Sequence, residues 1–434
     1  MRPANKDNIF SLLDQNGPFG TGDTPPGELF SKENRETIRK IRSGGTLAHY
    51  RMFRNQIFEF LKISAFSDIE KLHKDKILRK EINERAYKLL GNMFGIEGID
   101  REIITRVDSY SRTADGVIRY LRNKVLANYA SHIEITNEID IAGSPVDLLL
   151  ITYDRRYHKK ARFEAKRKLI LMLLAGSIDQ RERETDNEAK FADFLNFLNE
   201  YVWSKTILIG ELDPVYLISH HNSADFTCKD LRIISPAEAA AVKPERGRKL
   251  TLLKRRSFLA NGREIPIYVS IRKKPPEAKV LKLLRKNEQN PAVAVDDELG
   301  LMGVLDSVME VKLFQKHLTQ SAIKANSLMT LEEISDTLRG GSYRGSNYGS
   351  SAKTPMLKFF AKMSGMRVEF IVHTNESYLN YMYQKDVAHD EYEVKRIFDS
   401  GVAELLFPRD IYYLDMKEAK ERMIRWFRRL IEEY

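Results

Sequence analysis

The chain has 434 residues, of which 42% are apolar and 30% charged, so it is long enough for two domains and has an ordinary globular composition. Its 71 basic and 61 acidic residues give a net charge of +10, which favours polyanionic partners such as nucleotides or nucleic acid. The single cysteine, Cys228, excludes an intrachain disulfide framework and a Cys-rich zinc site, and no apolar run reaches the roughly 18 residues of a membrane span, so we expect a cytoplasmic protein with no membrane partner.

The N-terminal half divides into a tail and a first domain. Residues 1–45 contain a Gly/Pro cluster and few large apolar groups, which predicts a flexible tail. Residues 46–238 begin with apolar positions at helical spacing. They continue with two strand-like runs in HIEITNEIDIAGSPVDLLLITYD around a Gly-Ser-Pro turn, and then with ARFEAKRKLILMLL, which is either another strand or a strand that passes into a helix. We therefore expect helices plus an α/β region over residues 46–238.

The C-terminal half follows a stretch rich in Ala, Lys and Arg. Residues 239–261 have the composition of a linker. Beyond them, PIYVSIR, PAVAV, GVL and MRVEFIVHT are predicted strands, and an amphipathic helix ends the chain. The predicted fold class is α/β (α+β) with two domains, the second over residues 262–434.

Three cations follow the predicted strand PIYVSIR. Arg272, Lys274 and Lys282 stand at i, i+2 and i+10. A strand that passes into a helix would gather them on one side, as a cradle for a triphosphate. A chain with 71 Lys and Arg also produces such spacings by chance.

Two carboxylates in this half are candidates for a magnesium site or a general base. Asp297 precedes Gly300 at a predicted strand edge, where it either binds Mg²⁺ with phosphate oxygens or belongs to an acidic turn. Glu369 lies on the face of its strand opposite Val368 and Phe370. If that face is buried, Glu369 needs a cation, a metal or a catalytic role; if it is solvated, Glu369 is an ordinary surface residue.

Tyr348 lies in a Gly/Ser loop, RGGSYRGSNYGSSAK. An exposed tyrosine in such a loop suits the stacking of a nucleobase. The alternative is a loop tyrosine that packs on its own domain.

The order of these motifs resembles the synthetase domain of RelA/SpoT-type alarmone synthetases over about residues 262–400. The resemblance is carried by Arg-x-Lys-x7-Lys, Asp-x-x-Gly, the Tyr-x-Ser loop, Glu369 to Thr374, and AHDEYEVKR with His389. It implies a mixed sheet of nucleotidyltransferase type and transfer of pyrophosphate from ATP to a 3′-hydroxyl. It further implies that Arg272, Lys274 and Lys282 bind the ATP phosphates, Asp297 binds Mg²⁺, Tyr348 stacks the acceptor base and Glu369 helps to activate the hydroxyl.

Four positions depart from the family pattern. Ala278 replaces a serine of the basic motif, Met302 replaces an arginine after the glycine, His373 stands where an arginine is usual, and Ala352 replaces a histidine. The lost arginines put the affinity for the donor and the choice of acceptor in question.

The N-terminal half contains a second constellation. Asp147 is followed after seventeen residues by Glu164 and then by Lys166, and Glu138 is a further contributor. On two strands of a hairpin these groups would share an edge, an arrangement that resembles the PD-(D/E)xK nuclease core and binds Mg²⁺. The alternatives are a structural α/β domain and a degenerate nucleotidyltransferase.

The leading functional hypothesis is Mg²⁺-dependent transfer of pyrophosphate, or of a nucleotidyl group, from ATP to a nucleotide or RNA 3′-hydroxyl. The expected partners are ATP and a guanine nucleotide, with tRNA or DNA as further candidates. One alternative is a Mg²⁺-dependent nuclease whose C-terminal domain senses nucleotides. Another is a nucleotide-binding module without catalysis.

Overall fold

The structure is a computed structural model that describes residues 59, 61–63, 66–154, 156–204, 213–286, 288, 290–295, 298–340 and 354–433. Over these residues the protein is mixed α/β, with sixteen α-helices and one eight-stranded sheet. The chain forms two compact units. The helical unit takes its described residues from Met1–Arg181, Pro275–Ala294 and Arg396–Lys420, and the sheet unit takes its own from Glu182–Lys274, Val295–Lys395 and Glu421–Tyr434.

The helical unit contains no strand among its described residues. Its first six described helices are α1 (Phe66–Lys74), α2 (Lys76–Met93), α3 (Asp100–Tyr120), α4 (Asn137–Asp140), α5 (Pro145–Tyr153) and α6 (Lys159–Thr185). The last four residues of α6 belong to the sheet unit. Asp75 caps α2 by accepting hydrogen bonds from the backbone N–H groups of Ile77 and Leu78. Buried side chains of α2 and α5 pack together, among them Ile82, Val146 and Leu150.

The strands that we predicted within residues 132–174 are wrong, because α4, α5 and α6 occupy this part of the chain. The Gly-Ser-Pro segment is a helix start and not a turn: Ser144 Oγ accepts a hydrogen bond from Asp147 N, and Pro145 is the first helical residue. In α6 the buried positions recur every three or four residues, as in Ala161, Ala165 and Lys168. The α/β region predicted for the N-terminal domain is therefore helical as far as Val202.

The sheet unit is built on eight strands in the order β2-β1-β3-β4-β5-β8-β7-β6. They are β1 (Asp213–His221), β2 (Cys228–Ile234), β3 (Arg248–Ala260), β4 (Arg263–Lys273), β5 (Leu299–Leu305), β6 (Met329–Asp336), β7 (Leu357–Met363) and β8 (Met366–Thr374). Neighbouring strands are antiparallel except β5 and β8, which are parallel. The sheet is thus mixed, and PIYVSIR, GVL and MRVEFIVHT are confirmed as strands.

The remaining helices lie before, between and after the strands in the chain. They are α7 (Asn187–Phe197), continued by a π-helical turn over Leu198–Val202, α8 (Pro236–Ala240), α9 (Pro276–Lys286), α10 (Ala292–Val295), α11 (Val308–Lys324), α12 (Asn375–Tyr383), α13 (His389–Asp399), α14 (Val402–Leu406), α15 (Arg409–Tyr412) and α16 (Met416–Glu432). None of the described helices is long and apolar enough to cross a membrane.

Helices cover both faces of the sheet. On one face Phe314 and Leu318 of α11 and Phe194 of α7 pack with Phe370 and other inward residues of the strands. On the opposite face Leu379 of α12 belongs to a second cluster with Val304 and other residues. The consequence is that β5 leads into a helix on one face, whereas β8 leads into a helix on the other.

Two further predictions are corrected here. The linker expected at residues 239–261 contains β3, a strand paired on both sides, in which buried and exposed positions alternate over residues 249–254, as at Leu253 and Lys254. PAVAV, predicted as a strand, contains the short helix α10.

Candidate functional site

Three of the residues in the resemblance lie in one row across the sheet. Arg272 of β4 pairs with Gly300 of β5, and Gly300 pairs with Glu369 of β8. Side chains of laterally paired residues leave the sheet on the same side, and three strands span about 10 Å between the outer backbones. A Cβ atom on Gly300 would lie 3.7 Å from Arg272 Nε, so the arginine side chain extends over the glycine.

Glu369 is buried, and its charge is balanced by a lysine. Lys358 Nζ of β7 lies 2.9 Å from Glu369 Oε1, and each side chain is only 7% exposed. The sequence left open whether Glu369 lies on a buried or a solvated face, and the buried face is the one observed. A buried carboxylate needs such a partner, because its desolvation is otherwise strongly unfavourable.

An aromatic and histidine cluster lies beside this row on α12 and α13. The ring centroids of Tyr381 and His389 are 5.1 Å apart, and those of His373 and Tyr381 are 5.2 Å apart. Burial raises the pKa of the Tyr381 hydroxyl, and the nearby charge of Arg272 opposes that increase. Arg272 therefore belongs to the row and lies close enough to the cluster for its charge to act on Tyr381.

His373 is a buried neutral residue of β8. Burial lowers its pKa to about 4, an effect that the Pro355 carbonyl partly offsets. Its Nδ1 lies 3.2 Å from Ser377 Oγ in the first turn of α12. His373 therefore does not supply the positive charge that the family arginine would supply at ordinary pH.

The other residues of the predicted phosphate and metal sites are distributed differently. Lys274 follows β4, and its backbone N–H donates to Glu298 O at 2.9 Å. Lys282 belongs to the helical unit, on α9, where Nζ donates to Val293 O at 2.5 Å. The predicted step from strand to helix between them is confirmed. Asp297 and Tyr348 lie outside the described residues. Their roles in Mg²⁺ binding and base stacking therefore stay predictions, as does the phosphate cradle of the three cations.

Met302, which stands where the family pattern has an arginine, lies on the same face of the sheet as Gly300. It pairs laterally with Ser270 and with Ile371, and it is half-buried. An arginine here would point to the face of the row, so the substitution removes a cation from this face.

The proposed nuclease residues do not form a hairpin edge. Asp147 lies on α5 and bonds to Arg79 at 2.5 Å. Glu164 and Lys166 lie on α6, with Glu164 Oε1 accepting from Tyr412 at 2.7 Å and Oε2 from Thr136 N at 2.8 Å.

Glu138 lies on the short helix α4, and its Oε1 is 3.8 Å from His158 Nε2. The argument for a nuclease rested on two strands at these segments, and both segments are helical. Within the described ranges, no group of three or more His, Cys, Asp or Glu side chains is placed to hold a metal ion.

Sequence reasoning did not find Lys358 or Tyr381. Lys358 shares a strand face with Phe360 and with the exposed Lys362 in LKFFAKM, so the local pattern does not mark it as buried. Its partner also depends on the register of β7 against β8, which the local pattern does not contain.

No protein-family model matches the sequence, and no curated protein matches it at a significant level. The functional argument therefore depends on the motifs and on the geometry of the sheet face. That face offers a guanidinium beside a glycine, a buried carboxylate with its lysine, and an aromatic ring. These groups suit an anionic substrate with a hydroxyl that must lose a proton.

Proposed function

We propose that this protein is a RelA/SpoT-like transferase that moves a pyrophosphate group from ATP to the 3′-hydroxyl of a nucleotide or RNA, with Mg²⁺. The observation that carries the proposal is the row Arg272–Gly300–Glu369. It has two residues of separate motifs, 97 positions apart in the chain, on one face of the two strands that flank β5 in a mixed sheet. Short motifs that match only by chance are not expected to have their residues side by side on one face of a sheet.

The proposed reaction assigns each side chain a step. The acceptor 3′-oxygen attacks the β-phosphorus of ATP, the bond from that phosphorus to the oxygen bridging the α-phosphate breaks, and AMP leaves. Glu369 accepts the hydroxyl proton. Arg272 donates hydrogen bonds to phosphate oxygens, and Gly300 provides the space over which the guanidinium reaches them.

Lys358 supplies a cation on the same face, in addition to the family motifs. Its ammonium holds the Glu369 carboxylate and lies 5.6 Å from the centre of the Phe360 ring. We propose that this lysine partly replaces the charge lost at Met302. A lysine acts as a compact point charge, so it does not reproduce the bidentate contact of an arginine.

The metal is part of the proposal as well. Mg²⁺ in nucleotide sites takes one or two carboxylates together with phosphate oxygens and water, so a cluster of three protein carboxylates is not required. Asp297 precedes Gly300 by three residues in the chain, which makes it the carboxylate that would hold the ion, whereas Glu369 is paired with Lys358 and serves as the base. When bound, the ion would neutralise phosphate charge.

A second candidate, a nucleotide-binding module without catalysis, is favoured by the half-buried Met302 on the face of the row. Under this alternative ATP binds but is not consumed. The two candidates make different predictions for the same assay.

The test is incubation of the full chain with Mg²⁺, ATP and GTP, GDP, ATP or bulk tRNA as acceptor. ATP labelled in the γ-phosphate and ATP labelled in the α-phosphate are used in parallel. Transfer of the γ-label alone, abolished in Glu369→Gln and retained in the exposed control Glu333→Gln, is the expected result. Transfer of the α-label instead indicates nucleotidyl transfer. ATP binding without transfer of either label establishes the binding module.

A further inference from the structure

A separate cavity lies at the other end of the parallel strands. It has a volume of about 450 Å³, within the range of small-molecule sites. Its lining comes from the ends of β5 and β8 and from the segments that follow them, including Asp306, Ser307, Thr374 and Asn375. Thr374 is five residues beyond Glu369 on β8, which is about 16 Å along a strand. The cavity is therefore distinct from the row.

The topology explains why a cavity forms here. β5 and β8 are adjacent and parallel, and each continues directly into a helix. α11 packs on one face of the sheet and α12 on the other, so the two connections diverge. Such a switch point at the carboxyl ends of parallel strands is where open α/β sheets bind ligands.

The charged side chains at this cavity are two carboxylates, which accept hydrogen bonds and do not donate them. Asp306 and Glu376 are both exposed and line it. The starts of α11 and α12 contribute backbone N–H groups and a positive charge of about half a unit each. Two full carboxylate charges outweigh these partial charges, so the site disfavours a phosphate and suits a ligand that donates hydrogen bonds.

Asn375 provides an independent indication of a missing partner. It lines the cavity, its side chain is 2% exposed, and its Nδ2 donates to Asp306 Oδ1 at 3.1 Å. Among the described residues, no group donates a hydrogen bond to its Oδ1. Buried amide oxygens are nearly always satisfied, so this atom points to a donor outside the described residues, and a ligand in the cavity is one such donor.

We propose that this cavity binds a neutral nucleoside. The ribose hydroxyls donate to Asp306 and Asn375, as ribose hydroxyls do to carboxylates at comparable strand ends. The planar base lies against the apolar side chains of the lining, Leu231, Val308, Leu338 and Pro355. The two carboxylates select the nucleoside over its 5′-monophosphate.

The proposal is tested by calorimetric titration of the full chain with adenosine, guanosine, cytidine and uridine, and with their 5′-monophosphates and 2′-deoxy forms. Asp306→Asn keeps the size of the side chain and should weaken nucleoside binding about tenfold or more, because it removes a charged acceptor. Asp230→Asn is the matched control, since Asp230 is exposed on β2 and points away from the face of Leu231. Glu376→Gln is a second variant at an exposed position of the cavity, should Asp306→Asn fail to fold.

The expected result is binding of at least one ribonucleoside that Asp306→Asn weakens and that the control Asp230→Asn leaves unchanged. Absence of nucleoside binding overturns the proposal, and so does equal weakening in the control. Tighter binding of monophosphates that Asp306→Asn weakens overturns the ligand class. Loss of binding in Arg272→Gln would assign the nucleoside to the row instead. Because Asp306 lies outside the row, failure here leaves the proposed transfer reaction untouched.

Discussion

Lys358 and Glu369 form an ion pair in the interior of the sheet unit, where each side chain is 7% exposed. At this depth the attraction between them offsets the desolvation of both, and neither residue is stable in its charged form alone. The same pair occupies the proposed catalytic face. Stability and function are therefore coupled at these two residues, and a variant of either must be tested for both.

Lys358→Met is expected to lower the free energy of unfolding by about 3–5 kcal/mol, because it leaves Glu369 buried without its cation. Urea unfolding followed by circular dichroism measures this. Lys362→Met, at an exposed position of the same strand, is the control and should change stability by less than about 0.5 kcal/mol. A loss below about 1 kcal/mol for Lys358→Met would contradict the assignment of a buried ion pair.

The burial of His373 predicts that the free energy of unfolding depends on pH. Its pKa is about 4 in the folded protein and 6.5 in an unconstrained histidine, so the unfolded chain binds the extra proton between these values. Stability from this group is fully present above pH 6.5 and decreases as the pH falls towards 4, by up to about 3 kcal/mol.

The decrease in unfolding free energy between pH 6.5 and 4 should be smaller in His373→Gln than in the wild type. Chemical denaturation at several pH values gives the two slopes. His132→Gln, at an exposed position, should retain the wild-type slope. Equal slopes for the wild type and His373→Gln would refute the neutral, buried histidine.

At the scale of elements, α6 is held by a buried polar network and not by apolar contacts alone. Arg167 donates to Leu406 O at 2.6 Å and to the Tyr412 hydroxyl at 2.9 Å, and its guanidinium lies 5.0 Å from the Phe407 ring centre. Tyr412 in turn donates a hydrogen bond to Glu164, which the sequence pattern had suggested as part of a nuclease-like site. The network joins α6 to α14 and α15 within the helical unit.

Tyr412→Phe should destabilise the protein by about 1–3 kcal/mol, because the buried Glu164 loses a donor and Arg167 loses an acceptor. Thermal and urea unfolding both measure this effect. The neighbouring Tyr413 is 86% exposed, so Tyr413→Phe is the control and should be close to neutral. Equal effects of the two substitutions would show that the network does not stabilise α6.

At the scale of the whole molecule, the sequence was informative where a pattern is local and repeats every two residues. The alternation in MRVEFIVHT predicted β8 and the face of Glu369 correctly. The pattern failed for α6, because a short apolar run such as LILMLL fits a buried helix and a buried strand equally well. It failed for β3 because charged residues were taken as a linker and not as the exposed side of a strand.

Local sequence patterns could not identify the interaction partners of the candidate residues. Glu164 and Tyr412 are 248 positions apart, and Arg79 and Asp147 are 68 apart. The pair between Lys358 and Glu369 requires the register of a hairpin. The resemblance implied one site for Arg272 and Glu369, but the pairing of both residues with Gly300 depends on the register of β4, β5 and β8, which no local pattern contains.

The most direct test of the central claim is the ATP affinity of two neighbouring variants, Arg272→Gln and Lys273→Gln, measured by equilibrium titration with Mg²⁺ present. Arg272 lies on the face of the row, whereas Lys273 points to the other side and pairs with Glu298 and Glu188. If the row binds the phosphates, Arg272→Gln weakens ATP binding about tenfold or more and Lys273→Gln changes it less than about twofold. No ATP binding by the wild type, or equal losses in both variants, would contradict the account.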